Sequence, residues 1–139
     1  GSIFRTSDSF LVYKIIISGY TATPENPKME KTALGSSDSV DWEYTEDIID
    51  TIKNLKNKGV KVISIEQADK SLKIEKFIPK RGTKYAFVFG NEVDGVSDEI
   101  IRESDDVIEI PQVGTKHSLN VSVAAGIILW DFYLKTEIK

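Results

Sequence analysis

"IPQVGTKHSLNVSVAAGIILW", residues 110–130, passes from the end of an apolar strand through a polar loop into a helix that is apolar on nearly every side. Residues Gln112 to Asn120 are largely polar, in a context where a short turn would reverse the chain. Ser118 or Asn120 can cap the helix by accepting a backbone N–H of its first turn. A cap explains one polar residue and leaves Gly114, Thr115, Lys116 and His117 for a ligand. Beyond the loop, Val121, Ala124, Ala125, Ile128 and Phe132 form one helix face, and Val123, Ile127, Trp130 and Leu134 form another. One face suits a sheet, and a symmetry-related copy of the chain is the economical cover for the second.

Outward from this stretch, the runs "DVIEIP" (106–111), "KYAFVFG" (84–90), "VKVISIE" (60–66) and "KIIISG" (14–19) are short and continuously apolar, as buried strands are. Helical patterns separate them. Ile3, Phe4, Ser7, Phe10 and Leu11 fit one amphipathic helix; Ile48, Ile49, Ile52 and Leu55 fit another, with Thr45 as its cap and Asn57-Lys58-Gly59 as its stop. A short helix starts at Ser97. Residues 20–44, rich in Pro, Ser, Thr, Asn and Gly, are expected to be mostly loop with room for one helical turn. Apolar strands alternating with helices imply an α/β domain with a parallel sheet covered on both faces. Ligands of such sheets bind beyond the carboxyl ends of the strands, which points to residues 19–35, 65–69, 90–96 and 111–120.

The chain has 139 residues, no cysteine, one histidine and a formal net charge of −4. One domain is expected, with no disulfide framework, no Cys/His zinc site and no thiol nucleophile. The net charge argues against gripping nucleic acid by bulk electrostatics, so any such contact must be local. Apolar runs fall far short of a bilayer span and no leader opens the chain, so an unanchored cytoplasmic protein is expected.

"FGNEVDG", residues 89–95, places two glycines around Asn91, Glu92 and Asp94 at a strand terminus, where a ligand can approach backbone closely. Neither G-x-G-x-x-G nor G-x-x-x-x-G-K-[ST] occurs, so dinucleotide and P-loop assignments lose support. Near the start, Arg5 follows an apolar pair in "GSIFRTSDSF".

Taken in order, "GSIFRTSDSF", "FGNEVDGVS" and "IEIPQVGTKHSLNVSVAAGIILW" resemble the three motifs of the SPOUT superfamily in its SpoU/TrmH branch, the RNA ribose 2′-O-methyltransferases. The resemblance extends over "KTALGSSDSVDWEY" and the strand end "VISIEQ". It implies a single SPOUT-like methyltransferase domain over residues 1–139, mostly parallel sheet with helices on both faces, and a C-terminal deep trefoil knot. It implies S-adenosylmethionine as cofactor, no metal, and methyl transfer to a ribose 2′-hydroxyl of tRNA or rRNA.

Carried over by position, the resemblance puts Gly90, Ile110 and Leu119 in the cofactor pocket with Ile65, Gln112 and Ser118. It makes Arg5, Glu92, Ser118 and Asn120 the catalytic set. His117 is assigned a hydrogen-bonding or RNA-facing role. A homodimer through the C-terminal helix is expected, and the family's first motif opens upstream of Gly1, so a short N-terminal segment is expected to be missing. Lys28, Lys31, Lys80, Arg81 and Lys84 are candidate RNA-facing charges. The rivals are a catalytically silent RNA-binding or assembly module of the same fold, and a flavodoxin-like nucleotide-binding domain; binding of S-adenosylmethionine or flavin separates them.

Overall fold

The computed structural model describes residues 14–18, 41–68, 70–90, 95–112 and 120–136. The helix expected over residues 3–11 lies outside them. Strand β1, Lys14–Ser18, is the "KIIIS" run. It pairs in parallel with β2, Asp41–Thr45, in the register Ile15 with Trp42 and Ile17 with Tyr44. Residues 41–44 were expected to belong to a loop. Alternation of acidic with aromatic residues suits an edge strand, and the pairing partner supplied by β1 turns that weak preference into structure. Lys14 and Glu43 add a cross-strand ion pair at 3.8 Å.

Helix α1, Ile48–Asn57, is capped by Asp47 rather than by Thr45. The Asp47 Oδ1 accepts the Asp50 N–H at 3.0 Å. Thr45 still ends β2, so its hydroxyl sits one step too early; it accepts the Asp47 N–H at 3.2 Å and pairs with the Thr51 hydroxyl at 2.8 Å. The stop signal is as expected: Gly59, at φ +86°, donates to the Lys56 carbonyl and turns the chain into the next strand.

The main sheet contains β3 (Lys61–Ile65), β4 (Leu72–Lys73), β5 (Tyr85–Phe89) and β6 (Asp106–Glu109). All its pairs are parallel and the order is β4-β6-β3-β5. Three of the four apolar runs therefore share one sheet, while the fourth, β1, pairs with β2 in a sheet of its own. Strand β4 comes from a polar stretch and was not foreseen, because a strand of two residues has no readable period.

Period-2 alternation sorts the side chains of the central strand to two faces. Ile63 and Ile65 join Phe77, Tyr85, Phe87, Phe89, Ile108 and Ile110 in one apolar cluster, which helix α3, Val121–Thr136, covers with Ile128 and Phe132. The Phe132 ring meets those of Tyr85 and Phe87 edge-on, each at 5.4 Å. Fully burying side chains such as Ile63 and Ile108 stabilises the fold by about 1.5–3 kcal/mol each.

On the opposite face lie Val62 and Ser64, both fully buried. Helix α2, Asp98–Glu103, is capped by Ser97 as expected and ends at Ser104. The Ser104 hydroxyl donates to the Ile100 carbonyl at 2.8 Å, so at its 2.5 Å contact with Ser64 it is the acceptor. A buried hydroxyl is thereby satisfied rather than orphaned. Lys56 of α1 donates to the Glu103 carbonyl at 2.8 Å, tying α1 to the end of α2.

Lys135 anchors the far end of α3. Its ammonium donates to the carbonyls of Ile74 at 2.8 Å and Phe77 at 2.7 Å, and it pairs with Asp131 at 2.7 Å. The three contacts match the three protons of the group. Among the described residues no helix is long and apolar enough to cross a membrane.

Candidate functional site

The ladder of the main sheet fixes which residues emerge together. Ile65 stands opposite Phe89 on one side and Ile108 on the other. Glu66, Gly90 and Ile110 consequently leave the sheet side by side at the carboxyl ends of β3, β5 and β6. The structure thus brings together Ile65, Gly90 and Ile110, three of the expected pocket residues, all partly buried. Gln112 follows through Pro111 and is also partly buried. The Glu66 N–H donates to the Ile108 carbonyl at 3.0 Å, which prolongs the β3–β6 pairing past the strand itself.

Gly90 is required by packing. A Cβ built there would come within 3.0 Å of the Gly95 carbonyl carbon and oxygen and the Val96 nitrogen. Residues 90 and 95–96 are therefore in direct backbone contact. Gly95 sits at φ +66°, a conformation that glycine adopts without strain. Its hydrogen faces Glu66, whose Cδ would lie 3.2 Å from a Cβ at that position.

The Glu66 carboxylate completes the junction. Its Oε2 accepts the Val96 N–H at 2.8 Å and its Oε1 accepts the Gln67 N–H at 3.1 Å. Glu66 was read only as the last residue of a strand. Its signal in the sequence is a carboxylate directly after a continuous apolar run, at the end of a parallel strand where ligands are held.

Asn120 is the cap of α3. Its Oδ1 accepts the Ser122 N–H at 2.8 Å and its carbonyl accepts the Ala124 N–H at 2.9 Å. It therefore sets the point at which α3 begins. Arg5, Glu92, Ser118, Leu119 and His117 lie outside the described residues, so the catalytic set is represented here by Asn120 alone.

Of the expected RNA-facing charges, the described ones, Lys80, Arg81 and Lys84, do not stand at this edge. The Lys84 carbonyl accepts the Lys61 N–H at 2.9 Å, so Lys84 stands at the amino ends of β3 and β5. Arg81 reaches the Thr136 carbonyl at the end of α3, at 3.4 Å. Strands rise about 3.3 Å per residue, which separates this end from Ile65 and Gly90 by roughly 13 Å or more. Lys80, Arg81 and Lys84 thus stand at the end of the sheet opposite Ile65 and Gly90. Lys28 and Lys31 lie outside the described residues.

A family model described as the SpoU rRNA Methylase family matches residues 1–130. The chain is 32% identical over 139 residues to a tRNA (guanosine(18)-2'-O)-methyltransferase of Aquifex aeolicus, covering 99% of this chain and 64% of that protein. It is 30% identical over 129 residues to a 23S rRNA (guanosine-2'-O-)-methyltransferase of Neisseria meningitidis, covering 93% and 50%. Among solved structures, an AdoMet-bound rRNA methyltransferase from Sinorhizobium meliloti superposes with a TM-score of 0.86 at 26% identity, over 95% of this chain and 49% of that one. The chain thus spans between half and just under two thirds of the length of these relatives.

Proposed function

Because the chain belongs to the SpoU rRNA methylase family, we propose that it transfers a methyl group from S-adenosylmethionine to a ribose 2′-hydroxyl of transfer or ribosomal RNA. The observation that carries the proposal is the junction at the strand ends, where Ile65, Gly90 and Ile110 emerge side by side and Gly90 is pressed onto Gly95. At the last ladder pair, the partly exposed sides of Ile65 and Phe89, with Ile110 just past β6, offer an apolar wall to a nucleoside, and glycine at position 90 lets it approach the backbone. That combination fits an adenosyl cofactor.

When bound, the cofactor supplies a methyl carbon activated by a sulfonium leaving group. In the proposed transfer the 2′-oxygen would bond to that carbon as its bond to sulfur breaks, the demethylated thioether would leave, and the hydroxyl proton would pass to solvent. Ile65, Gly90, Ile110, Gln112, Ser118 and Leu119 bind and orient the donor, and a near-attack geometry accounts for much of the acceleration. Arg5 stays protonated at any ordinary pH, so its role is to clamp the adjoining phosphate or stabilise developing alkoxide rather than to remove the proton. Glu92 orients its loop and Arg5. Asn120, through its cap, fixes where the loop carrying Ser118 enters α3.

Residues 1–139 form one methyltransferase domain whose C-terminal part is tied in a deep trefoil knot, and it works in the cytoplasm without a metal. A homodimer forms through α3, whose stripe of Val123, Ile127, Trp130 and Leu134 is between 37% and 51% exposed while the opposite face covers the sheet. A second copy is the occupant that would cover this stripe by symmetry.

The test is isothermal calorimetry with S-adenosylmethionine, followed by transfer of labelled methyl to total tRNA and rRNA by the wild-type chain and Arg5→Ala across a pH series. Binding, transfer to ribose and a loss on the order of a hundredfold in Arg5→Ala are expected. Binding without transfer would favour a silent module of the same fold. Absence of binding would sink the cofactor site, and undiminished turnover in Arg5→Ala would remove Arg5 from the mechanism.

A further inference from the structure

We infer that Glu66 is a positioning residue for the cofactor pocket: its carboxylate holds Gly95–Val96 against Gly90 at the end of β5. The inference rests on the proposed S-adenosylmethionine site and gives a role to a residue of the strand end "VISIEQ" to which none was assigned.

Three observations converge on Glu66. Its own N–H is held by the Ile108 carbonyl, so the residue is fixed between β3 and β6. Its Oε2 accepts the N–H of Val96, a residue only 7% exposed, at 2.8 Å. Its carboxylate lies against Gly95 where any larger residue would collide with it. Gly90 and Gly95–Val96 are in backbone contact, so their separation is set by whatever holds Val96. Glu66 is the side chain that does so. Without it a largely buried N–H loses its acceptor, and water can replace that acceptor only if the junction opens. An open junction displaces Gly90, and with it the pocket wall that the cofactor needs.

The two oxygens are not equivalent. Gln67 is exposed, so water can satisfy its N–H, whereas the Val96 N–H needs a protein acceptor. A glutamine side chain retains one carbonyl oxygen of the right reach and should serve. An aspartate keeps the charge but is one methylene short and should not. Acceptor geometry, rather than charge, is therefore the property that matters.

The experiment compares Glu66→Ala, Glu66→Asp and Glu66→Gln with the wild-type chain by calorimetry with S-adenosylmethionine and by thermal melting. Lys56→Met, which loses a hydrogen bond between α1 and α2 away from the site, calibrates the effect of destabilisation alone. Expected are an affinity at least tenfold weaker in the Ala and Asp variants, as for an orphaned buried donor. Glu66→Gln should bind within about threefold of wild type, and Lys56→Met should lose stability without losing affinity. Equal losses in Gln and Ala, or wild-type affinity in Ala, would overturn the clamp.

A readout that needs no cofactor separates this inference from the proposal beneath it. Hydrogen exchange at the Val96 amide should quicken at least tenfold in Glu66→Ala and stay near wild type in Glu66→Gln. A wild-type chain that binds no S-adenosylmethionine would defeat the cofactor site, and unchanged exchange at Val96 would defeat the clamp.

Discussion

Gly90→Ala probes the backbone contact between residues 90 and 95–96 directly. The new methyl would lie within 3.0 Å of three backbone atoms, where ordinary contact is 3.4–4 Å, so residues 90 and 95–96 must separate by roughly an ångström. Two restraints oppose that movement. Phe89 is held in register against Ile65, and the Val96 N–H is held by Glu66 at 2.8 Å. Overpacking costs about 1–3 kcal/mol, and loss of the Val96 hydrogen bond adds about 1 kcal/mol. A total of roughly 2–4 kcal/mol is a large share of a typical stability of about 5–15 kcal/mol, so the variant should fold but melt roughly 10 °C lower. Urea unfolding gives the stability, and calorimetry with S-adenosylmethionine gives the affinity.

Gly82→Ala is the control. Gly82 has φ +77° but open space around it, so the substitution carries backbone strain of about 1–2 kcal/mol and no collision. It stands at the amino end of β5 and should leave affinity unchanged. A Gly90→Ala midpoint equal to that of Gly82→Ala, with wild-type affinity, would refute the contact between Gly90 and Gly95–Val96.

Two further perturbations test the packing of α3. Lys135→Met removes donors to the carbonyls of Ile74 and Phe77 and the ion pair with Asp131; at this largely buried site, where both side chains are 25% exposed, the loss should be about 2 kcal/mol, read as a lower urea midpoint with unchanged secondary structure. A loss below about 0.5 kcal/mol would show that water replaces the ammonium freely. Trp130→Glu places a charge in the exposed stripe beside the ring of Tyr133, whose stack with Trp130 has centroids 5.9 Å apart. Sedimentation equilibrium should show the wild-type chain as a dimer and the variant as a monomer, with helix content preserved because Trp130 is 48% exposed. A wild-type monomer would remove the dimer.

Much of this architecture was legible in short-range pattern. Continuous apolar runs marked the strands at residues 60–66, 84–90 and 106–111 because the central strand of a sheet covered on both faces is buried all round, as Val62, Ile63 and Ser64 are. Ser97 as a cap and Gly59 as a stop were readable because capping joins residues a few positions apart. The strand ends pointed to the edge that carries residues 65–69 and 90–96, and the three ordered motifs pointed to the family, whose resemblance named Ile65, Gly90 and Ile110.

Tertiary structure decided the rest. Asp41–Thr45 became strand only through pairing with β1, and that strand displaced the expected cap from Thr45 to Asp47. Lys80, Arg81 and Lys84 look in sequence like any basic cluster, and only the parallel direction of β3 and β5 puts them at the end away from Ile65 and Gly90. The carboxylate of Glu66 and the N–H of Val96 are thirty positions apart. Periodicity and capping express which residues are buried and where elements begin, since those are properties of neighbours along the chain. Which carboxylate meets which amide is a property of neighbours in space, set when the sheet registers and the helices close over it.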